Sequence, residues 1–323
     1  MNKIKTLSIN KQEDQLNKVW MFVKDIIPYL GLLSLLILFG TTTNGRFLRV
    51  SNIGVILKQS AIVLVGTMGT TFVMAHGNLD FSLGGELALC SLEGWYASQL
   101  NPILMLPVCI GTGVLLSYII AKVHVKLNVP VFTAGLCVMF IGKSVVMTLG
   151  STTVMTSPAV FNKFDTVNFY LIVSVVVIVL AYILFDFTKV GKFNKSIGVN
   201  PNAALYSGIP VDKYKVLAFV ITGFAVGLSS FLSIIRSGGL SSQTGATFEI
   251  DVLLVMVLGG IPLSGGVGVK IRNGVIGALI FYMLNNGLTL WGVSAEIINI
   301  IKGILFLVIV CLTYERNSGK EIF

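Results

Sequence analysis

Runs of about 20 apolar residues, separated by short polar stretches, recur along almost the whole of this 323-residue chain. An α-helix rises about 1.5 Å per residue, so about 20 apolar residues are enough to cross the hydrocarbon core of a bilayer. Ten such segments lie at residues 26–43, 53–75, 82–99, 103–121, 130–149, 169–187, 213–236, 247–262, 273–291 and 295–313. The pattern predicts an all-α polytopic membrane protein with about ten transmembrane helices.

The composition excludes an ordinary soluble domain. Only 11% of the residues are charged and 54% are hydrophobic, whereas soluble domains carry about 25% charged residues. The four cysteines lie inside apolar runs without a CxxC spacing, and neither histidine has a neighbour of the kind that ligates a metal. We therefore expect buried structural cysteines and no metal site.

Two of the ten segments are weaker than the others. Segment 82–99 contains two glutamates, so it either spans the membrane or is re-entrant. Segment 247–262 is short and opens with Glu249 and Asp251. Acids inside a membrane segment can form a proton relay, but acids at a helix start also stabilise the N-terminus of the helix. The sequence alone leaves both interpretations open.

Basic residues indicate how the chain is oriented in the membrane. The net charge is +9, and Lys and Arg favour cytoplasmic loops. With the N-terminus placed inside, all but seven of the 23 basic residues fall on the same side as the two tails. The seven exceptions are Arg46, Arg49, Lys58, Lys143, Lys163, Arg236 and Lys302. The basic excess therefore reports orientation rather than nucleic-acid binding.

This orientation defines the expected organisation of the chain. We expect both termini to be cytoplasmic, with an N-terminal segment at 1–25 and a tail at 314–323. The transmembrane domain occupies 26–313, and its longest cytoplasmic connection lies at 188–212.

The connection at 188–212 carries the signals of a short helix. Asn200 can N-cap it, Pro201 can occupy its first position, and Gly208 can end it. One or two helical turns outside the membrane would form a docking element for another protein. The alternative is a solvated loop with an incidental turn.

Two breaks rich in glycine and serine interrupt the apolar pattern, at 76–86 and 236–249. Each is followed by an acid near the start of a weak helix, and the two breaks lie five helices apart. An odd offset indicates a possible inverted repeat, as in many transporters. In the first break, Ser82 is predicted to N-cap the following helix, with Glu86 in its first turn.

The sequence contains no recognisable catalytic motif. It has no P-loop, no HExxH and no GxSxG motif, so no catalytic residue is predicted. Polar groups inside or beside the apolar segments can bind an uncharged polyhydroxy solute, or can form interhelical hydrogen bonds instead. The candidates for a solute pathway are Gln59, Thr67, Thr71, Asn78, Asp80, Asn285 and Asn286.

Four stretches resemble the permease subunits of bacterial ATP-binding-cassette importers for ribose, galactose, xylose and related solutes. They are HGNLDFSLGGELAL (76–89), SIGVNPNAALYSGIPVDKYKVLAF (196–219), TGATFEIDVLLVMVLGGIPLSGGVG (244–268) and GVIGALIFYMLNNGLTLWGVSAEIINIIKGILFL (274–307). The second resembles the long cytoplasmic coupling segment of the family. The resemblance covers about residues 30–313, although His76, Asn78, Phe81 and Val199 depart from the residues usual in the family.

The resemblance implies a transport subunit in the bacterial cytoplasmic membrane. Two permease chains, identical or different, would form the pathway, and two ATPase subunits would use ATP beneath them. An extracytoplasmic binding protein would deliver a ribose-like monosaccharide. This chain would bind no cofactor, would contact lipid but no nucleic acid, and would have no ATPase site. The residues expected to contact the ATPase are Asn200, Pro201, Ala203, Ala204, Tyr206, Ser207 and Gly208.

The resemblance leaves the solute open. Related permeases also carry the furanosyl signal autoinducer-2 or nucleosides, so the same machinery could import either of these. A transporter of a different class, an ion-coupled secondary transporter, would need no ATP and would require Glu249 or Asp251.

Overall fold

The computed structural model describes residues 26–152 and 155–313 of the chain. These residues fold almost entirely into helices. The α-helices are α1 (Ile26–Thr42), α2 (Val50–Met74), α3 (Leu83–Leu100), α4 (Met105–Leu127), α5 (Val131–Thr152), α6 (Val167–Tyr182), α7 (Lys189–Val199), α8 (Pro201–Tyr206), α9 (Val211–Ser237), α10 (Phe248–Leu258), α11 (Ile271–Leu290) and α12 (Ala295–Thr313). The predicted cytoplasmic segments 1–25 and 314–323 lie outside the described residues.

Shorter elements complete the connections. A two-residue strand, β1 (Met155–Thr156), pairs antiparallel with β2 (Gly239–Leu240). Single turns of 3-10 helix lie at Pro102–Leu104 and Gly266–Gly268, a longer one at Ala159–Phe164, and a π-helical turn at Ile183–Phe187 extends α6. The indole Nε1–H of Trp95 in α3 donates to the Thr156 carbonyl oxygen at 2.8 Å. This bond fixes the small two-stranded sheet over the end of α3.

All ten predicted apolar segments contain helices. Helices α1 to α6 and α9 to α12 occupy them in order, and α7 and α8 lie in the predicted cytoplasmic connection. Among the described residues, five helical stretches are long and apolar enough to cross a membrane. They are Val50–Met74, Pro102–Leu127, Val131–Gly150, Val167–Phe187 and Val211–Ser237. The predicted all-α polytopic fold is therefore confirmed.

The two weak segments form different kinds of helix. α3 is unbroken over 18 residues and spans about 27 Å, so it does not fold back as a re-entrant hairpin. α10 has only 11 residues and covers about 16 Å, roughly half of the hydrocarbon core. The chain before α10, residues 241–247, is not helical. α10 is therefore a half-length helix that is reached through irregular backbone.

Helices α2 and α9 form the centre of the bundle, and α6 lies at its edge. Of an apolar 18-residue stretch in each helix, 67% is buried in α2 and 72% in α9. Only 17% is buried in the corresponding stretch of α6 and its π-helical extension. The exposed side of α6 carries Ile172, Val175 and Val179. Such an apolar side suits contact with lipid tails or with the apolar surface of another membrane chain.

Glycines bring α4 and α9 into backbone contact. A Cβ added at Gly223 would overlap the Gly113 carbonyl oxygen, and one added at Gly227 would lie 2.5 Å from the Cys109 carbonyl oxygen. Gly223 and Gly227 form a GxxxG motif, which places two small residues on one helix face. A larger side chain at either position would force the two helices apart.

Candidate functional site

The cytoplasmic connection contains the short helix that the sequence predicts. Asn200 caps α8 because its Oδ1 accepts hydrogen bonds from the backbone N–H groups of Asn202 and Ala203, both at 3.0 Å. Pro201 occupies the first helical position, and Gly208 follows the helix with a φ of 80°. The predicted start and end are confirmed, since each depends on the local preference of one residue.

α8 is anchored on one side and exposed on the other. Ala204 is buried with Ile197 of α7 and Val211 of α9, whereas the side chain of Tyr206 is 90% exposed. The other predicted docking residues are also exposed: Asn200, Pro201, Ala203, Ser207 and Gly208. The helix thus presents the exposed Tyr206 at a fixed position, on the side that the basic residues predict to be cytoplasmic.

The end of α7 lies in a tight junction with the segments that follow α2 and α10. Nε2 of His76 lies 2.8 Å from Oδ1 of Asn194 in α7, and Nε2–H is the donor because an amide oxygen only accepts. The Gly266 N–H donates to the Ala75 carbonyl oxygen at 2.9 Å, and a Cβ at Gly198 would overlap that same oxygen. A displacement of α7 therefore reaches the ends of both α2 and α10.

Burial sets the charge of this junction. It lowers the pKa of His76 from 6.5 to about 4, because desolvation penalises the imidazolium more than the hydrogen bond to Asn194 favours it. The imidazole is therefore neutral at pH 7, and the junction is held by an uncharged hydrogen bond.

At the start of α3, the carboxyl groups of Asp80 and Glu86 share the hydroxyl group of Ser82, and Glu86 also bonds a second hydroxyl group. Ser82 Oγ lies 2.6 Å from Oδ1 of Asp80 and 3.1 Å from Oε1 of Glu86. Ser117 Oγ of α4 lies 2.9 Å from Oε2 of Glu86. Burial raises the pKa of Asp80, and the hydrogen bonds from Ser82 oppose that change. The cluster ties the α2–α3 break to α4.

The predicted capping role of the Ser82 side chain is wrong. Ser82 holds the N-cap position of α3, but its hydroxyl accepts no backbone hydrogen bond there. The hydroxyl lies between the carboxyl groups of Asp80 and Glu86 instead, and the Ser82 N–H itself donates to Asp80 Oδ1 at 2.9 Å. Glu86 lies in the first turn, as predicted.

Both acids at the start of α10 are paired with lysines from other helices. Nζ of Lys143 in α5 lies 2.6 Å from Oε1 of Glu249 and 2.8 Å from the Ala246 carbonyl oxygen. Nζ of Lys302 in α12 lies 3.2 Å from Oδ1 of Asp251. The acids also lie in the first helical turn, where the helix dipole favours negative charge. Each acid is thus neutralised by a cation in the bundle.

The predicted pathway residues do not converge on one site. Thr67 and Thr71 are buried in α2, and their hydroxyls donate to carbonyl oxygens one turn earlier in the same helix, both at 2.7 Å. Gln59 is half-buried on α2. Asn78 and Asp80 follow the end of α2, whereas Gln59 lies 15 residues before that end, about 22 Å away at the helical rise.

Asn285 and Asn286, near the outer end of α11, have different surroundings. Asn286 exchanges two amide hydrogen bonds with Asn52 of α2, at 2.8 and 3.0 Å, and so joins the two helices. Asn285 instead lines a cavity of about 230 Å³ between α11 and α12. The other residues that line this cavity are Thr289, Val293, Ala295, Ile298, Asn299 and Lys302.

Sequence reasoning missed this cavity, although a signal was present. Asn285 and Thr289 are four residues apart on α11, and Asn299 and Lys302 are three apart on α12. These spacings place each pair on one helix face. Two polar stripes on consecutive apolar helices indicate that the helices share a polar cleft.

The fold and the inner face together define a class of protein. The chain is a multi-pass helical membrane protein in which an exposed, capped helix, α8, packs on α7, and α7 contacts the segments that follow α2 and α10. Residues 52–310 match the family described as branched-chain amino acid transport system / permease component. The chain therefore belongs to this family, and its relatives place it among the sugar permeases of bacterial ATP-binding-cassette importers, in the inner membrane.

Several curated relatives match over most of their length. The ribose import permease of Bacillus subtilis (strain 168) is 34% identical over 309 residues, which cover 90% of this chain and 93% of the relative. That of Haemophilus influenzae is 32% identical over 302 residues, 89% of this chain and 93% of the relative. The D-allose transport system permease of Escherichia coli (strain K12) is 28% identical over 292 residues, 85% of this chain and 87% of the relative. No solved structure is significantly similar to the chain.

Proposed function

We propose that the chain is the membrane subunit that imports ribose, or a closely similar monosaccharide, by alternating access. Separate ATPase subunits bind at α8 and use ATP, and an extracytoplasmic binding protein delivers the sugar. A second permease chain completes the pathway. This chain contributes no cofactor and no catalytic residue, because its part is to move in response to the ATPase.

The arrangement of α8 carries the proposal. An exposed Tyr206 lies on a helix whose buried face, at Ala204, packs against α7 and α9. α7 in turn is bonded to the ends of α2 and α10 through His76 and Gly266. A movement of α8 can thus be transmitted to the central helices through a few tightly packed contacts. An importer that is driven by a separate ATPase requires such a connection.

The relatives support a monosaccharide as the solute. Their printed names include ribose, D-allose, galactose or methyl galactoside, and fructose import permeases. The charged residues of α10 fit an uncharged solute, because Glu249 and Asp251 are both neutralised by lysines. The same pairing argues against an ion-coupled secondary transporter, in which one of these acids would have to bind and release the coupling ion.

The test is uptake in proteoliposomes that contain the permease with its ATPase and binding-protein partners, identified from adjacent genes or by pull-down. We expect labelled ribose to enter only when ATP is inside and loaded binding protein is outside. Excess unlabelled autoinducer-2 or nucleoside should not compete. Uptake by the permease alone under an ion gradient would refute the proposal, and competition by autoinducer-2 or a nucleoside would reassign the solute.

A further inference from the structure

The cleft between α11 and α12 is an unusual surface for a membrane helix pair. We name it the α11–α12 groove; it is the cavity of about 230 Å³ described above. Thr289 and Asn299 are exposed on it, and Asn285 is half-buried. Polar side chains on the lipid-facing side of a span are disfavoured, so such groups face protein or water. By contrast, the exposed side of α6 carries apolar side chains, among them Ile172 and Val175.

Lys302, which forms an ion pair with Asp251 behind it, lies at the base of the groove. Lys302 lines the cavity, and its Nζ lies 3.2 Å from Oδ1 of Asp251 and 4.7 Å from the centre of the Phe281 ring. The other oxygen of Asp251 accepts a hydrogen bond from the Thr247 hydroxyl at 3.2 Å. The ammonium group has three N–H donors, so Lys302 retains hydrogen-bonding capacity while the net charge of the pair is zero.

The groove runs inward from the outer ends of the two helices. Thr289 lies one residue before the end of α11, and Ala295 is the first residue of α12. Lys302 lies seven residues further along α12, a depth of about 10 Å at the helical rise. With the orientation indicated by the basic residues, the mouth of the groove faces outward and its charged base lies within the membrane.

We propose that the α11–α12 groove is an outward-facing binding site for the transported solute, which is an uncharged polyhydroxy molecule such as a monosaccharide. The proposal rests on the proposed function. Asn285, Thr289 and Asn299 offer amide and hydroxyl groups that hydrogen-bond to sugar hydroxyls, and Val293 and Ile298 offer apolar surface to the C–H faces of the ring. An ionic solute would have to compete with the Asp251–Lys302 pair, whereas a neutral one would not.

The first test removes one hydroxyl group at matched positions. Thr289→Val removes an exposed hydroxyl in the groove that bonds the carbonyl oxygen one turn earlier, at 2.9 Å. Thr41→Val on α1 removes an exposed hydroxyl with the same intrahelical bond, at 2.8 Å. In the reconstituted complex, we expect Thr289→Val to lower the ribose transported per ATP about tenfold, with ATPase stimulation by loaded binding protein retained. We expect Thr41→Val to transport normally.

The second test fills the groove. Ala295→Trp adds a large side chain at its rim, and Ala159→Trp adds the same side chain at another exposed first residue of an outer-side helix. We expect Ala295→Trp to stop ribose uptake, whereas Ala159→Trp should still transport. Assembly with the ATPase, measured by size-exclusion chromatography, should be normal for both.

The two proposals fail in distinguishable ways. If the wild-type complex shows no ATP-dependent ribose uptake, the proposed function is refuted. If the wild type transports ribose and both Thr289→Val and Ala295→Trp transport it at the wild-type rate per ATP, the groove assignment alone is refuted.

Discussion

Nε2 of His76 lies 2.8 Å from Oδ1 of Asn194, and this bond joins residues 118 positions apart in the chain. It connects the end of a central helix, α2, to α7, on which the exposed helix α8 is packed. Because both side chains are buried, water cannot replace the bond when it is broken. The junction is therefore placed to transmit movement as well as to stabilise the inner face.

Asn194→Leu tests the junction. The substitution leaves the buried His76 N–H without its acceptor, which costs about 1–3 kcal/mol of folding free energy. We expect a lower melting temperature in detergent and less ribose transported per ATP in proteoliposomes. Asn168→Leu, at an exposed position in the first turn of α6, is the control and should change neither. If Asn194→Leu lowers the melting temperature but leaves the transport ratio intact, the junction only stabilises the fold.

The lowered pKa of His76, about 4 against an ordinary 6.5, predicts a pH dependence of stability. At pH values between these two, the unfolded chain binds a proton at His76 that the folded chain excludes. The contribution of neutral His76 to the free energy of unfolding is therefore complete above about pH 6.5 and is lost as the pH falls toward 4. At about pH 5 the loss amounts to about 2 kcal/mol. Asp80, whose pKa is raised, acts in the opposite direction at acid pH.

A comparison with His76→Gln isolates the histidine, because Asp80 is present in both proteins. The stability of the wild type relative to His76→Gln should decrease between about pH 7.5 and about pH 5 in thermal melts. A difference that stays constant over this range would mean that His76 is not held neutral in the folded protein.

Gly208→Val tests α8 against a matched glycine. Gly208 and Gly45 have φ values of 80° and 74°, and neither has an atom within 4 Å of an added Cβ. Both substitutions therefore cost a similar backbone strain of about 1–2 kcal/mol. We expect Gly208→Val to abolish ribose uptake, because it distorts the end of α8, and Gly45→Val, in the α1–α2 connection, to retain it. Equal loss in both variants would contradict a special role for α8.

Ala204→Asp tests the buried face of the same helix. Ala204 packs in an apolar cluster with Ile197 and Val211, where a carboxylate would lack a partner. We expect normal membrane insertion with loss of uptake and weaker binding of the ATPase in a pull-down. Normal uptake by Ala204→Asp and Gly208→Val together would remove the docking assignment.

The sequence predicts the helices and the ends of α8, because both depend on local properties. Apolar runs of membrane length and the preferences of Asn200, Pro201 and Gly208 act within one element. That the Ser82 side chain does not cap α3 could not be predicted, since the neighbouring carboxyl groups of Asp80 and Glu86 compete for its hydroxyl. Which group the Ser82 hydroxyl bonds depends on the three-dimensional positions of all three side chains.

The partners of the charged residues were also beyond the reach of the sequence. Lys143 and Glu249 are 106 residues apart, and Lys302 and Asp251 are 51 apart. Residues so far apart in the chain lie on different helices. Only the packing of α5, α10 and α12 brings these groups together.

A double substitution tests how much the Lys143–Glu249 ion pair contributes to the stability of the folded protein. The Glu249 side chain is 4% exposed and that of Lys143 is 25% exposed, so Lys143→Met leaves a buried carboxyl group unpaired. We expect a loss of roughly 2–4 kcal/mol of folding free energy, because removing one partner of a buried pair leaves an uncompensated charge. Adding Glu249→Gln should recover most of the loss in melting temperature, since the remaining amide is neutral. If the two substitutions destabilise additively, the ion pair does not couple α5 to α10.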